Sequence, residues 1–311
     1  MNTKETIDAI LTETGKAVLG KDDVLRRILT AILAGGHILI DDIPGVGKTT
    51  MAVAFTRTLG LDYKRMQFTP DVLPSDITGF SMYDKASGSF RYVAGSAMTN
   101  FFLADEINRA SPKTQSALLE VMQEGRLSVD GKTYAVPQPF IVMATQNPFG
   151  SSGTQELPES QTDRFMIRIT VGYPSRENEI EILKGSRRSA ALSLSAFITP
   201  DDLLSLRKAA ADVHVEDSLF AYMVDIAAAT RESHDISLGI SPRGTMALSA
   251  MTRAHALMEG RAYATPDDVL AVAPYTLSHR ITLSGDARFA GKTAASVLDD
   301  ILKSVPMPEL V

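Results

Sequence analysis

The run Asp42-Ile43-Pro44-Gly45-Val46-Gly47-Lys48-Thr49 has the residue types needed to hold a chain of phosphates. Its glycines let backbone N–H groups approach an anion, and the helix that starts there adds the positive end of its dipole. Pro44, Gly45, Val46, Gly47, Lys48, Thr49 and Thr50 are therefore the candidate nucleotide-binding residues. Lys48 would reach the β- and γ-phosphates and the Thr49 hydroxyl would hold Mg²⁺. A second stretch, Phe101-Phe102-Leu103-Ala104-Asp105-Glu106, is a buried strand ending in two carboxylates. Asp105 would coordinate Mg²⁺ through water, and Glu106 would polarise the attacking water. Side chains alternate along a strand, but at the C-terminal lip of a parallel sheet both can turn toward the ligand crevice. Together the two stretches imply hydrolysis of a nucleoside triphosphate.

One position departs from the strict G-x-x-x-x-G-K-T string: its first glycine is Asp42. A carboxylate facing phosphates would oppose their binding, so Asp42 is expected to point away from them. Further candidates sit where elements end. Asn147, in Thr145-Gln146-Asn147-Pro148, can hydrogen-bond a γ-phosphate or orient water; a plain Asn-Pro turn is the alternative. Arg164, in Ser160-Gln161-Thr162-Asp163-Arg164-Phe165, can supply charge to a neighbour's γ-phosphate or make a local ion pair with Asp163 or Glu159. Arg243, in Ser241-Pro242-Arg243-Gly244, opens a helix, an unfavourable place for a cation; it points to a bound anion or to simple exposure. Arg109 follows the two carboxylates and can equally serve a subunit boundary. The five histidines, at 37, 214, 234, 255 and 279, have no metal-ligand spacing, and no serine sits on a nucleophile elbow.

Positioning these groups requires repeated strand–helix units. Apolar runs at 38–41, 100–105, 140–145 and 165–169 read as strands and Arg65-Met66-Gln67-Phe68 as a second parallel strand, with helices over 49–59 and from Ser111-Pro112 to Gly125. Such strands mean a parallel sheet covered on both faces. Residues 80–83 and 90–93 suit a hairpin, and 126–129 with 134–136 a second one around Asp130-Gly131-Lys132-Thr133. Two helices over 5–34 break near Val18-Leu19-Gly20-Lys21 and end at Gly35-Gly36. After Gly172 the strands stop, and capped starts at Ser175, Thr199-Pro200 and Thr265-Pro266 predict helices. The organisation expected is an α/β nucleotide domain over 1–172, carrying inserts near 71–99 and 126–137, and a helical domain over 173–311.

The 311 residues are 44% apolar and 22% charged, as in an ordinary globular protein. A net charge of -6 with no basic stripe argues against a dedicated nucleic-acid binder, though not against a ring whose pore alone is basic. The absence of cysteine rules out disulfides and thiolate metal sites. No export signal or uncharged span of membrane length is found, so a cytoplasmic protein is expected.

In this order, the motifs resemble those of AAA+ ATPases, and within them the MoxR type. The resemblance runs from Val18-Leu19-Gly20 through Leu33-Ala34-Gly35-Gly36-His37 and the phosphate loop, where an acidic first residue is itself common. It continues through Leu73-Pro74-Ser75-Asp76-Ile77-Thr78-Gly79, Ala104-Asp105-Glu106-Ile107-Asn108-Arg109-Ala110, Ala144-Thr145-Gln146-Asn147-Pro148, Leu157-Pro158-Glu159, Asp163-Arg164-Phe165 and Ser241-Pro242-Arg243. Residues 91–98 depart from it, lacking a Gly-Pro step usual near there. The resemblance implies a P-loop NTPase fold of AAA+ type with a C-terminal all-helical lid. It assigns Lys48 and Thr49 to Walker A, Asp105 and Glu106 to Walker B, Asn147 to sensor 1, Arg164 to the arginine finger and Arg243 to sensor 2. Val18 and Gly20 would flank adenine. It makes 71–99 the helix-2 insert and 126–137 the pre-sensor-1 hairpin. It further implies a chaperone-like, hexameric ATPase using ATP and Mg²⁺ with a separate von Willebrand factor A domain protein. A nucleic-acid motor of replicative-helicase type and a chelatase motor subunit are the alternatives.

Overall fold

A computed structural model describes residues 2–43, 45–147, 157–184 and 194–309. Helices α1 (Thr3–Gly15) and α2 (Asp22–Leu33) precede β1 (Ile38–Asp41), α3 (Lys48–Thr58) and β2 (Tyr63–Gln67). The short α4 (Pro74–Thr78) leads into a hairpin, β3 (Gly79–Asp84) and β4 (Ser89–Ala94). Next come β5 (Phe101–Asp105), α5 (Pro112–Glu124), a second hairpin of β6 (Arg126–Val129) and β7 (Lys132–Ala135), then β8 (Ile141–Gln146), α6 (Glu159–Thr162) and β9 (Ile167–Ile169). The remainder holds α7 (Arg176–Leu183), α8 (Pro200–Ala211), α9 (Asp217–Glu232), β10 (Ile236–Leu238), α10 (Pro242–Met258), α11 (Pro266–Leu277), β11 (Thr282–Leu283), α12 (Gly285–Phe289) and α13 (Ala294–Ser304).

The apolar runs form one parallel sheet in the order β2-β5-β8-β1-β9. Strand alternation sends Ile38 and Ile40 into a core shared with α1, α2, α3 and the C-terminal helices. Leu39, Phe102 and Val142 face the opposite core, closed by α5 and the second hairpin. Both faces are thus covered over β5, β8 and β1, which is why these three strands carry so few polar residues. The C-terminal part is helical apart from the short antiparallel pair β10–β11, too brief to leave a periodic signal.

Local chemistry sets the boundaries. Ser111 caps α5 by accepting from Thr114 N at 3.3 Å, with Pro112 at the first helical position. Asp130 and Gly131 take φ of 49° and 74°, so the second hairpin turns on two residues in primed-turn geometry. Lys132 and Thr133, expected in that turn, instead belong to β7 and pair with Val129 and Ser128. The first hairpin leaves through Gly95, where a Cβ would lie 2.3 Å from the Ile77 carbonyl oxygen; its exit is pinned against α4 without a Gly-Pro step.

His37, at the foot of β1, fastens the two layers. Its Nε2 donates to the Met122 carbonyl and its Nδ1 accepts from Val142 N, each at 3.0 Å, which defines the neutral tautomer. Burial lowers its pKa to about 4, against a smaller upward pull from the Met122 carbonyl. Between pH 6.5 and about 4 the unfolded chain therefore binds a proton that the fold refuses, and stability rises with pH across that window. The contribution, on the order of 3 kcal/mol, is complete above the upper value and lost as pH falls through the lower. Denaturant titrations across the window should show this loss in the wild type and a shallower one in His37→Gln. Equal slopes for the two proteins would remove His37 from the account.

Candidate active site

Three neighbouring strands, β5, β8 and β1, deliver the expected chemistry to one lip of the sheet. Registers of Asp41 with Gln146 and of Ala104 with Ala144 put the loop after β1, the carboxylates after β5 and Asn147 after β8 side by side. This is the carboxyl-end crevice where open parallel sheets bind ligands. Gly45 and Gly47 adopt φ of 89° and 94° with nothing near a Cβ added to either, so backbone handedness rather than crowding demands glycine. Lys48 donates from Nζ to the Asp42 carbonyl. Burial pulls its pKa below the ordinary lysine value, opposed by the carboxylates of Asp42, Asp105, Asp41 and Glu106. Thr49 and Thr50 occupy the first turn of α3; Pro44 lies outside the described residues.

Asp42 does turn away from the loop. Its Oδ1 accepts from Ile43 N at 2.7 Å, and its Oδ2 accepts from both Val171 N and Gly172 N at 2.6 Å. Lys21 reaches the same segment from the other side, donating to the carbonyls of Val171 and Tyr173 at 2.8 Å each. The turn containing Val18 and Gly20 is thereby bound, through residues 171–173, to the phosphate loop. Gly20 has φ +62°, and a Cβ there would meet Asn178 Nδ2 at 1.9 Å.

At the end of β5, Asp105 is buried and fully engaged. Oδ1 accepts from Thr145 Oγ1 at 2.9 Å, and Oδ2 takes Nε of Arg65, on β2, at 2.8 Å. Glu106 escapes strand alternation by adopting a left-handed backbone, φ 55° and ψ 48°, a conformation costing of order 1–3 kcal/mol for a residue with a side chain. Its N–H donates to Thr145 Oγ1 at 2.9 Å, and its carboxylate pairs with Arg109 at 2.9 Å. Asn108 donates to the Asn147 carbonyl at 3.4 Å. The Thr49 hydroxyl and Asp105 carboxylate are hard oxygen donors that suit Mg²⁺, which takes few protein ligands and keeps several waters. Among the described residues no group of three or more His, Cys, Asp or Glu could hold a metal by itself, in keeping with so sparse a donor set.

Arg164 and Arg243 are not at this lip. Met166 N donates to the His37 carbonyl and Ile167 pairs with Ile38, so Arg164 stands where β9 begins. Four residues of β1, roughly 13 Å of strand, separate that edge from the phosphate loop. Arg164 donates to the Leu119 carbonyl at 3.1 Å; neither of the local ion pairs weighed for it forms. Asp163 instead pairs with Arg280 at 2.8 Å and with Arg243 at 3.8 Å. Ser241 Oγ donates to the same carboxylate at 3.0 Å. Arg164 and Arg243 therefore line one small cavity together.

Three functional neighbours carried little sequence signal. Thr145 is a lone hydroxyl ending an apolar strand, and Arg65 lies on the exposed edge strand. Arg280 is buried, and its guanidinium also donates to the carbonyls of Phe165 and Met166 at 2.6 and 3.2 Å. Its trace is Gly244, where a Cβ would sit 2.8 Å from Arg280 Cδ: the glycine of Ser-Pro-Arg-Gly makes room for a second arginine.

A phosphate loop after β1, which lies between β8 and β9 in a parallel sheet, carboxylates on the next strand but one and a following helical bundle define an AAA+ P-loop ATPase. Residues 37–167 match the model of the ATPase family associated with various cellular activities (AAA), and residues 228–301 match the AAA lid domain. The chain is 45% identical to the uncharacterised YeaC protein of Bacillus subtilis, over 94% of this chain and 92% of that one. It is 39% identical to the protein named Chaperone MoxR1 of Mycobacterium tuberculosis, over 98% of this chain and 83% of that one. A crystal structure of a candidate ATPase from Cytophaga hutchinsonii superposes with a TM-score of 0.92 at 36% identity, covering 99% and 96% of the two chains. The chain belongs to the MoxR family of AAA+ ATPases.

The Asp42 arrangement yields a direct test. Asp42→Ala leaves the N–H groups of Val171 and Gly172 without their acceptor, at about 1–3 kcal/mol for each donor left buried. Urea titration should show a loss of roughly 2–4 kcal/mol, and Asp42→Gly, which supplies the missing glycine of the motif, should lose as much. A glycine variant as stable as the wild type would show that the carboxylate ties nothing down.

Proposed function

We propose that this protein hydrolyses ATP with Mg²⁺ at sites completed by a neighbouring copy, and that turnover drives chaperone-like remodelling of partner proteins. The observation that carries this reading is the division of its chemistry between opposite ends of one sheet. In this scheme Pro44 to Thr50 bind the phosphates, Val18 and Gly20 flank the adenine, and Thr49 with Asp105 holds the metal, which would neutralise phosphate charge. Glu106 leaves its pairing with Arg109 to orient the attacking water, assisted by Asn147. Arg164 and Arg243 face the next subunit's nucleotide, so both act in trans. Arg243 sits at a helix start, unfavourable for a cation, where its own chain offers only the long 3.8 Å pairing with Asp163; in this reading an anion from another chain completes the pairing. Residues 1–172 form the nucleotide domain and 173–311 the lid.

Different surfaces that meet head to tail generate a ring when the rotation between copies closes; a hexamer is the ring size that the family resemblance favours. The client reading rests on the first hairpin. Phe80, Met82, Tyr83 and Phe90 are all exposed on it, and Tyr83 packs edge-on to Phe90 at 5.5 Å. A solvent-facing apolar pair suits polypeptide better than a phosphate backbone. A nucleic-acid motor would need basic tips, yet the two hairpin tips offer Lys85 and a Lys132 opposed by Asp130, and single lysines neutralise little backbone charge. Tyr92 of the first hairpin stacks on Tyr134 of the second at 4.0 Å, which lets the two move as one unit. The partner proposed is a separate von Willebrand factor A domain protein, met in the cytoplasm.

Two experiments test the proposal. Arg164→Ala should bind ATP and hydrolyse it poorly, as should Glu106→Gln. Mixing the two should restore part of the activity, because some boundaries then join an intact Glu106 to an intact Arg164. Rings shown to be mixed yet inactive would put Arg164 in cis or in a structural role. The second experiment uses Glu106→Gln, which should stall with ATP bound and retain its client in a pull-down. Recovery of a von Willebrand factor A domain protein supports the remodelling reading; recovery of DNA alone defeats it.

A further inference from the structure

Helix α7 buries none of its side chains. Ile182 and Leu183 are 53% and 82% exposed, and Tyr173, just before the helix, is 78% exposed. Between these apolar residues stand Glu177, Glu179 and Glu181 with Arg176; Glu181 pairs with the capping Lys184 at 2.6 Å, which leaves Glu177 and Glu179 as the helix's excess negative charge. The helix belongs to the phosphate-loop end of the molecule. Its cap, Ser175, follows Gly172, which binds Asp42, and its Asn178 packs on Gly20.

At the other end, a groove of about 570 Å³ runs between α9 and α10, lined by Phe220, Val224, Met246 and Ala250 and edged by Arg231 and Arg253. Among the described residues no carboxylate lines it. Val224 and Met246 are 52% and 66% exposed. Met246 lies three residues beyond Arg243, on the same helix face, and with Ala250 it also lines the cavity shared by Arg164 and Arg243. The groove is therefore continuous with the arginine half-site.

We propose that α7 of one copy docks into the α9–α10 groove of the next copy. Apolar side chains meet apolar side chains, and the glutamates of α7 face Arg231 and Arg253. The inference rests on the trans reading above: a join that carries Arg164 and Arg243 to a neighbour's phosphate loop also carries the groove toward that neighbour's α7. Because the two surfaces differ, the contact is heterologous and propagates around a ring.

The chain contains no cysteine, so Ile182→Cys and Met246→Cys can be joined by a short bismaleimide without background. Neither single variant should cross-link alone, their mixture should give one dimer band, and the chain carrying both should give a ladder. Leu183→Asp should abolish the bands and raise the protein concentration needed for half-maximal ATPase by about tenfold, the worth of one buried leucine, with the thermal midpoint unchanged. Cross-linking of I182C to itself would overturn the proposal by showing a two-fold contact. Absence of the mixed band, in proteins whose R164A and E106Q forms still complement each other, would overturn the docking while leaving trans catalysis intact. Failure of both would remove the trans reading and this contact with it.

Discussion

Asp42 occupies a position where a glycine would leave the phosphate loop free to settle against its ligand alone. Its side chain instead accepts hydrogen bonds from the two residues at which the sheet gives way to the helical part, and Lys21 clamps the same residues through their carbonyls. Two chain segments, around Lys21 and Asp42, thus share one stretch distant in sequence from both, 171–173. The loop cannot shift without disturbing the exit from β9, and the C-terminal helices cannot swing without loading the loop. Acceptance of two N–H groups by one oxygen is what makes this joint stiff, since charge-assisted bonds are the stronger kind.

A comparable economy governs the opposite edge. There Arg280 is buried and spends its donors on the Asp163 carboxylate and on the carbonyls of Asp163, Phe165, Met166 and Thr276, a long-range contact that seats the C-terminal helices under β9. Burial lowers the Arg280 pKa, and the Asp163 carboxylate pulls the other way. With Asp163 so engaged, Arg164 is left to a single carbonyl contact and a buried Nε without an acceptor. Satisfying one arginine fully is what leaves the next available.

Much of this was legible in the residues, for identifiable reasons. β1, β5 and β8 are continuous apolar runs buried on both faces, and the caps at Ser111, Ser175 and Thr199 act within three residues of themselves. Local causes leave local traces. The Asp130-Gly131 turn was readable, but not its tightness, because loop length depends on strand pairing. The β10–β11 pair was hidden because three residues cannot show a period. The partners of the site were hidden for a different reason: Asp163 finds Arg280 117 positions away, and Asp105 finds Thr145 and Arg65 each 40 positions away. Nothing in a linear pattern distinguishes such a threonine or arginine from a surface one. The direction of Asp42, by contrast, followed from electrostatics alone.

The roughly 13 Å of sheet between the loop and the arginines also has a genetic reading. If Arg164 acts in trans as proposed, each copy carries two unlike halves, and a defect need not harm the site of the copy that bears it. An allele lacking Lys48 would then disable its own site, whereas an allele lacking Arg164 would disable that of the next copy. In a cell expressing both normal and altered chains, the second kind would behave as a poison, silencing sites whose own residues are all normal. Dominance would then depend on which end of one β-strand the lesion lies near.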